Sequence, residues 1–434
     1  MKKTLAMVLS LMMVLSVFCG CGPTEQPGES TAAPTAPVAH SLQVGYGRGD
    51  ITPTFSVPLG GRHTEDFSKT VDDHLFATCI AFTDETGNTI LLYQLDLLFS
   101  YSQAMMARLK IAKETGVNGL QIMVTSTHNH SGPDLSNSNG NIERYVEEIL
   151  QPQMVEAAKA AMADRKPVKG MYIARTYPEG LNFLRHYILK DGTKVGWATP
   201  VVQAVANGTM QGHLFDADNE MQLLKFTRDG GKDVVLMNWQ GHPRAHSEKY
   251  AIRADAEIIR QALEPALDCH FAYILGASGN VNSSSKIPEE VVAKDYLENG
   301  RFLAMHAVEA AKSFEEVKIG KLQLTSYNFA GKRLNNEGVT TEIPLYAFSL
   351  GDVAFATAPY EMFTENGKKV KEDSPFEMTF MASCSNGNCG YIPSSSAFEY
   401  DCYEVSITRY VKGTAEDLVE SHVSMLKQLY ETKD

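Results

Sequence analysis

The sequence predicts an α/β fold with a mixed β-sheet core flanked by helices. Three observations carry this. Short β-rich apolar runs alternate with segments of helical periodicity, which argues against a pure β-sandwich. No repeat recurs at solenoid spacing. No Pro/Gly-rich linker interrupts residues 41–434, which therefore read as one domain. With 434 residues, 44 % apolar and 21 % charged, the chain has ample material for a large core.

The amino terminus reads as an export signal over residues 1–20. Lys2 and Lys3 form a positive region, and Leu5 to Phe18 form an apolar stretch shorter than the roughly 20 residues of a membrane span. Small Gly20 then precedes Cys21, the pattern of a bacterial lipoprotein signal cleaved before Cys21 with diacylglycerol on that thiol. Cys19 and bulky Phe18 depart from it. Residues 21–40, rich in Pro, Thr, Ala and Gly, form a flexible tether that cannot bury apolar area. The expectation is an exported lipoprotein, anchored to the membrane at the cell surface. The formal net charge of −13 argues against a nucleic-acid partner.

Within the folded part, Thr89 to Phe99 is a β-rich run after the turn Asp84–Asn88. Gln103 to Glu114 reads as a helix, Leu120 to Thr125 as a short buried strand, and Ile142 to Asp164 as one long amphipathic helix. Met221 to Thr227 and Val234 to Trp239 flank Arg228-Asp229-Gly230-Gly231, a hairpin signal. Helices follow at Ala254 to Leu267, Phe302 to Phe314, Tyr360 to Lys371 and Ala415 to Tyr430, with strands at Phe271 to Leu275 and Val353 to Ala358. Of the remaining cysteines, Cys79 and Cys269 sit in apolar runs and read as core thiols. Cys384 and Cys389 are close enough to pair, with Cys402 a rival partner, and export permits disulfides.

Chemistry concentrates where strands end in loops. In Thr125-Ser126-Thr127-His128-Asn129-His130-Ser131-Gly132-Pro133 a buried strand runs straight into His-x-His. In an extended segment, residues i and i+2 share a side, so both imidazoles can face one cavity. In Asn238-Trp239-Gln240-Gly241-His242-Pro243 another strand ends directly before a histidine. His246 has the i+4 spacing of a helical metal pair, but Pro243 and the preceding strand argue against a helix, so His242 is the candidate. Ala358-Pro359-Tyr360-Glu361 leads from a strand into the next helix, where an acid also complements the helix dipole. Gly390-Tyr391-Ile392-Pro393 and then Tyr403-Glu404 form a Tyr-rich loop.

The order of these motifs resembles the neutral/alkaline non-lysosomal ceramidase family, as does the opening Val44-Gly45-Tyr46-Gly47-Arg48-Gly49-Asp50-Ile51-Thr52-Pro53. The resemblance spans roughly residues 42–432. It implies a ceramidase-like catalytic domain with a catalytic zinc held by His128, His242, Glu361 and Tyr391 and an open coordination position. It also implies hydrolysis of the amide of an N-acyl lipid such as ceramide, to fatty acid and sphingoid base. In that scheme zinc lowers the pKa of its water to about 7. Tyr403 helps stabilise the oxyanion, His130 shuttles a proton to the leaving amine, and Arg185 orients a polar group of the substrate. Two departures bear on the substrate. The chain ends with the helix at Tyr430, without the β-sandwich of longer members. Asn280, in Gly276-Ala277-Ser278-Gly279-Asn280-Val281-Asn282, stands where similar sequences usually have Asp. Both leave room for a more polar N-acyl substrate. Rival readings are a zinc hydrolase of another amide or ester, and a non-catalytic ligand-binding lipoprotein.

Overall fold

Nine strands build the larger of two facing sheets: β1 (Leu42–Asp50), β2 (Phe76–Asp84), β3 (Thr89–Leu95), β4 (Ile122–Ser126), β5 (Lys166–Thr176), β6 (Met221–Arg228), β7 (Asp233–Trp239), β8 (Cys269–Leu275) and β9 (Glu315–Val317). They run in the order β8-β7-β6-β5-β1-β2-β3-β4, with β9 paired to β5. The pairings β3–β4 and β7–β8 are parallel and the others antiparallel, so the sheet is mixed. A second mixed sheet comprises β10 (Ile319–Arg333), β11 (Asn336–Gly351), β12 (Val353–Thr357) and β13 (Met378–Ala382), with β12–β13 parallel. This is a computed structural model that describes residues 40–61, 66–243 and 250–434, apart from the Glu337 side chain. The signal segment with Cys21, the tether before His40, and His246 lie outside the described residues.

Strand alternation explains the layering. On β3, Leu91, Tyr93 and Leu95 face helices α1 (Ser102–Thr115) and α2 (Gln151–Ala163). Ile90 and Leu92 point the other way, into a core shared with Phe348, Phe355 and Phe380 of the second sheet. At the β6–β8 end of the large sheet, Leu223, Met237 and Phe271 meet α3 (Asp255–Leu267) and α4 (Tyr296–Ala310). The outer face of the second sheet, with Leu345, Ala347 and Ala356, is covered by α5 (Thr364–Asp373) and α6 (Thr414–Tyr430). The layers are therefore helix, sheet, sheet, helix. The predicted mixed sheet with flanking helices is observed; the second sheet stacked on it is an addition. Among the described residues no helix is long and apolar enough to cross a membrane.

Three predicted elements differ. The helix expected over 142–164 is interrupted by a π-type segment, Val146–Leu150, just ahead of Pro152. Proline there lacks the N–H that would continue the α ladder. The helix expected from Phe302 begins at Tyr296, because Asp295 caps it by accepting from the Glu298 N–H at 2.8 Å, and its α-helical part ends at Ala310. The helix expected from Tyr360 starts only at Thr364. Glu361 and Met362 are instead a short strand parallel to Tyr391–Ile392. Glu361 thus owes its place to sheet pairing, not to a helix dipole.

Candidate metal centre

Each parallel strand pair sends loops from its carboxyl ends to one point. Leu98 follows β3 and His128 follows β4. His242 follows β7, and the loop 276–282 follows β8. Glu361 follows β12, and Cys384 follows β13. Sites outside the carboxyl ends of strands are usual for such sheets. Here the two sheets contribute jointly.

The His128 Nδ1–H donates to the Leu98 carbonyl at 3.0 Å, with Cys384 Sγ 3.6 Å from the same nitrogen. The His242 Nδ1–H is shared by the carbonyls of Ser278 (2.7 Å) and Val281 (3.1 Å). A carbonyl only accepts, so both rings carry their proton on Nδ1 and present a lone pair at Nε2. Those two Nε2 atoms lie 3.2 and 3.3 Å from the same oxygen, Glu361 Oε2. Neutral imidazole nitrogens and a carboxylate oxygen cannot hydrogen-bond one another without a proton. Indeed His128 Nε2 and Glu361 Oε2 are buried with no hydrogen-bond partner. Orphaned buried polar atoms are costly and call for an explanation. A tetrahedral ion with bonds of about 2.0–2.1 Å separates its ligands by roughly 3.3 Å, so the donor set and its spacing fit zinc.

Tyr391 completes the cluster. It is the register partner of Glu361, and its hydroxyl faces the Glu361 carboxylate. His130 stands beside it, with its ring centroid 4.8 Å from that of His128 and 5.9 Å from that of His242. The ligand atoms of His128, His130 and His242 all lie within 4.8 Å of one another, so His130 is also within reach of an ion. Its Nδ1 lies 3.3 Å from the Gly61 carbonyl. His128 has φ 60°, a left-handed conformation rare for histidine, as do Cys384 (52°) and Asn386 (60°) below it. Asn386 brackets Val124 of β4, accepting from its N–H at 2.8 Å and donating to its carbonyl at 2.7 Å. These strained backbones hold the loop ends of the two sheets together at the cluster.

Electrostatics separate the members. Burial works against charge on His128, but the Cys384 thiol and Glu361 carboxylate raise its pKa well above the ordinary value. Burial draws His242 down to about 4, with the charges of His128 and Arg185 adding to the fall. Burial opposes ionisation of Glu361, yet His128 and then His242 hold its carboxyl well below the usual range. Burial and the Glu361 charge keep Tyr391 a neutral phenol.

Arg185 reaches this cluster and is held there through Nε and Nη2. It donates to Glu404 Oε1 (2.5 Å), the Gly279 carbonyl (2.7 Å) and the Tyr391 hydroxyl (3.1 Å). Glu404 is wholly buried and also meets His186 Nε2 at 2.9 Å, whose other nitrogen lies 2.8 Å from the Tyr400 hydroxyl. The Tyr403 ring centroid is 5.9 Å from that of Tyr391, and Tyr403 and Arg185 line a cavity of about 370 Å³. A larger groove of about 730 Å³, along α5 and α6, contains none of these residues.

Sequence reasoning did not single out Glu404, His186, Leu98 or the carbonyls of Ser278 and Val281. The small residues of 276–280 were the available signal: a Cβ on Gly279 would press on the Glu361 backbone. Asn280 uses its whole amide, accepting from the Thr364 N–H at 2.8 Å and donating to Glu365 Oε2 at 2.9 Å, while its carbonyl accepts from the Arg185 N–H at 2.9 Å. The departure from Asp therefore supports the loop and touches no candidate ligand. Neither proposed disulfide is present. Cys384, Cys389 and Cys402 are free thiols, and Cys384 packs under His128 instead.

No family model matches the chain, and no curated protein matches it in sequence. Among solved structures, neutral ceramidase from Pseudomonas aeruginosa aligns with a TM-score of 0.70 and 14 % identity, over 91 % of this chain and 75 % of that one. A ceramidase complexed with C2 gives 0.68 and 14 %, over 91 % and 76 %. The likeness is one of fold: the chain has a ceramidase-like architecture.

Proposed function

We propose that this protein is a zinc-dependent hydrolase of N-acyl amide bonds, acting on a ceramide-like lipid to release fatty acid and amine. One observation carries the reading: two tautomer-locked imidazoles aim their lone pairs at one buried carboxylate oxygen, at ligand-to-ligand spacing. The ceramidase-like fold supports the reaction class. His128, His242, Glu361 and Tyr391 would hold the ion. Zinc supplies Lewis acidity and a water-derived nucleophile near neutral pH.

The remaining work falls to the chain's own groups. Leu98, Ser278 and Val281 fix which imidazole nitrogen faces the reaction. His130, beside the cluster, accepts a proton and returns it to the departing nitrogen. Tyr403 donates to the carbonyl oxygen as charge develops there. Arg185, braced by Glu404, keeps the phenols of Tyr391 and Tyr403 in place and presents its edge to the substrate.

The test is metal analysis of the purified protein, together with fatty-acid release from N-acyl lipids and matched esters. About one zinc per chain is expected, with amide hydrolysis lost on chelation and restored by zinc. His130→Ala should keep the zinc and lose about 10²–10⁴-fold in activity. A folded, zinc-loaded protein that cleaves none of the amides refutes the reading, and loss of zinc from His130→Ala makes that residue a ligand. We also propose export and membrane anchoring through Cys21, motivated by the signal pattern alone. Unchanged membrane retention of a normally processed Cys21→Ser variant would refute it.

A further inference from the structure

The cavity beside Arg185 and Tyr403 has a one-sided chemistry. At about 370 Å³ it is near the small end of the roughly 300–1,000 Å³ usual for ligand sites. Trp197, Ala198 and Val201 give it an apolar wall, and Asn282 adds an amide. Its charged lining residues are Arg185 and Lys286, and no carboxylate lines it. The Arg185 charge is compensated by Glu404. The Lys286 ammonium has no ion-pair partner among the described residues, while its backbone N–H donates to the Tyr187 hydroxyl at 3.1 Å and fixes the residue at the cavity. In a chain of net charge −13, this cavity next to the candidate metal centre is left positive. A neutral head group would gain nothing from that arrangement; an anion would.

Resting on the hydrolase reading above, we propose that the substrate is an N-acyl amide whose amine half carries an anionic group, a carboxylate or a sulfonate, held in this cavity by Lys286. The acyl half of a lipid amide is an uncharged chain, so the charge belongs to the amine half. Hydrolysis adds water across the C–N bond. The hydroxyl goes to the acyl carbon and the proton to nitrogen, giving a fatty acid and an amino acid or aminosulfonate. No oxidant or reductant takes part.

Trp197 lines the cavity, whereas Trp239, the other tryptophan, is buried at the end of β7, so tryptophan fluorescence reads ligand entry without any turnover. The purified full chain is titrated with N-lauroylglycine, N-lauroyltaurine and the neutral N-lauroylethanolamine, and zinc-supported fatty-acid release is measured for the same three. The anionic amides should bind about tenfold more tightly than the neutral one, and Lys286→Gln should remove that preference while leaving the neutral amide unchanged. Glycine over taurine, or the reverse, tells which anion fits. Equal binding of all three, or a preference that survives Lys286→Gln, overturns the proposal. Release from the ethanolamide alone sinks the anionic assignment and spares the hydrolase reading. Lys286-dependent binding with no release from any amide sinks the hydrolase reading, and the substrate assignment with it.

Discussion

Glu404 illustrates how much of this protein rests on single buried charges. Burial alone would raise its carboxyl pKa, but Arg185 and then His186 hold it down at about 2. Its folded value lies below the roughly 4.3 of an unfolded glutamate. The ionised form therefore stabilises the fold above about pH 4.5, and that stability is lost as pH falls from there toward 2. The gap corresponds to about 3 kcal/mol. Urea unfolding of Glu404→Gln should begin about 3 kcal/mol lower at pH 7 and decline less between pH 5 and 3 than the parent does. Parallel acid limbs in the two proteins would contradict this. Asn280 makes the complementary case. Asp in its place would set two carboxylates against each other at Glu365, a buried mismatch of about 1–3 kcal/mol. Adding Glu365→Gln to the Asn280→Asp background should restore most of that loss in chemical denaturation. A neutral Asn280→Asp would show that the amide donor is dispensable.

Among the elements, the first strand meets its helix most closely. Gly45, Gly47 and Gly49 alternate along one face of β1, and a Cβ on them would overlap the carbonyls of Ala161, Ala157 and Gln153 of α2. Gly47→Ala should therefore cost the upper end of about 1–3 kcal/mol for an overpacked core and lower the midpoint of thermal unfolding, while an alanine at open Gly140 should not. The opening Val44-Gly45-Tyr46-Gly47-Arg48-Gly49-Asp50 stands out in the sequence only through the family resemblance, and its partner helix is not legible, because the glycines signal close approach without saying to what. Elements with clean periodicity read well, among them α1, α3, α6 and the β6–β7 hairpin. The long β10–β11 hairpin escapes notice because its distal half is half-exposed and polar, leaving no apolar stripe to read. At the candidate metal centre, strand-end histidines announce themselves because an apolar run stops at them. The pairing of Glu361 with Tyr391, and of Arg185 with Glu404 far along the chain, is decided by tertiary structure that no local pattern encodes.

At the scale of the whole molecule, the cluster draws on both sheets, so any ion it binds ties them together. Zinc at a hundredfold excess over its dissociation constant should stabilise the fold by about 2.7 kcal/mol. The check is a thermal melt with and without zinc: the shift should vanish in His128→Ala, and a shift that persists there would locate the ion elsewhere. The order in which the chain is made adds a further constraint. His128 and His242 are synthesised early, but Glu361 and Tyr391 belong to the segment that also supplies β12 and β13. A nascent or clipped chain ending before residue 361 has the histidines but lacks both Glu361 and Tyr391. With the proposed ligand set, metal would therefore not nucleate this fold as it does a zinc finger. It would enter only once the strands that carry Glu361 and Tyr391 have docked, so an ion held there would report that both sheets are in place.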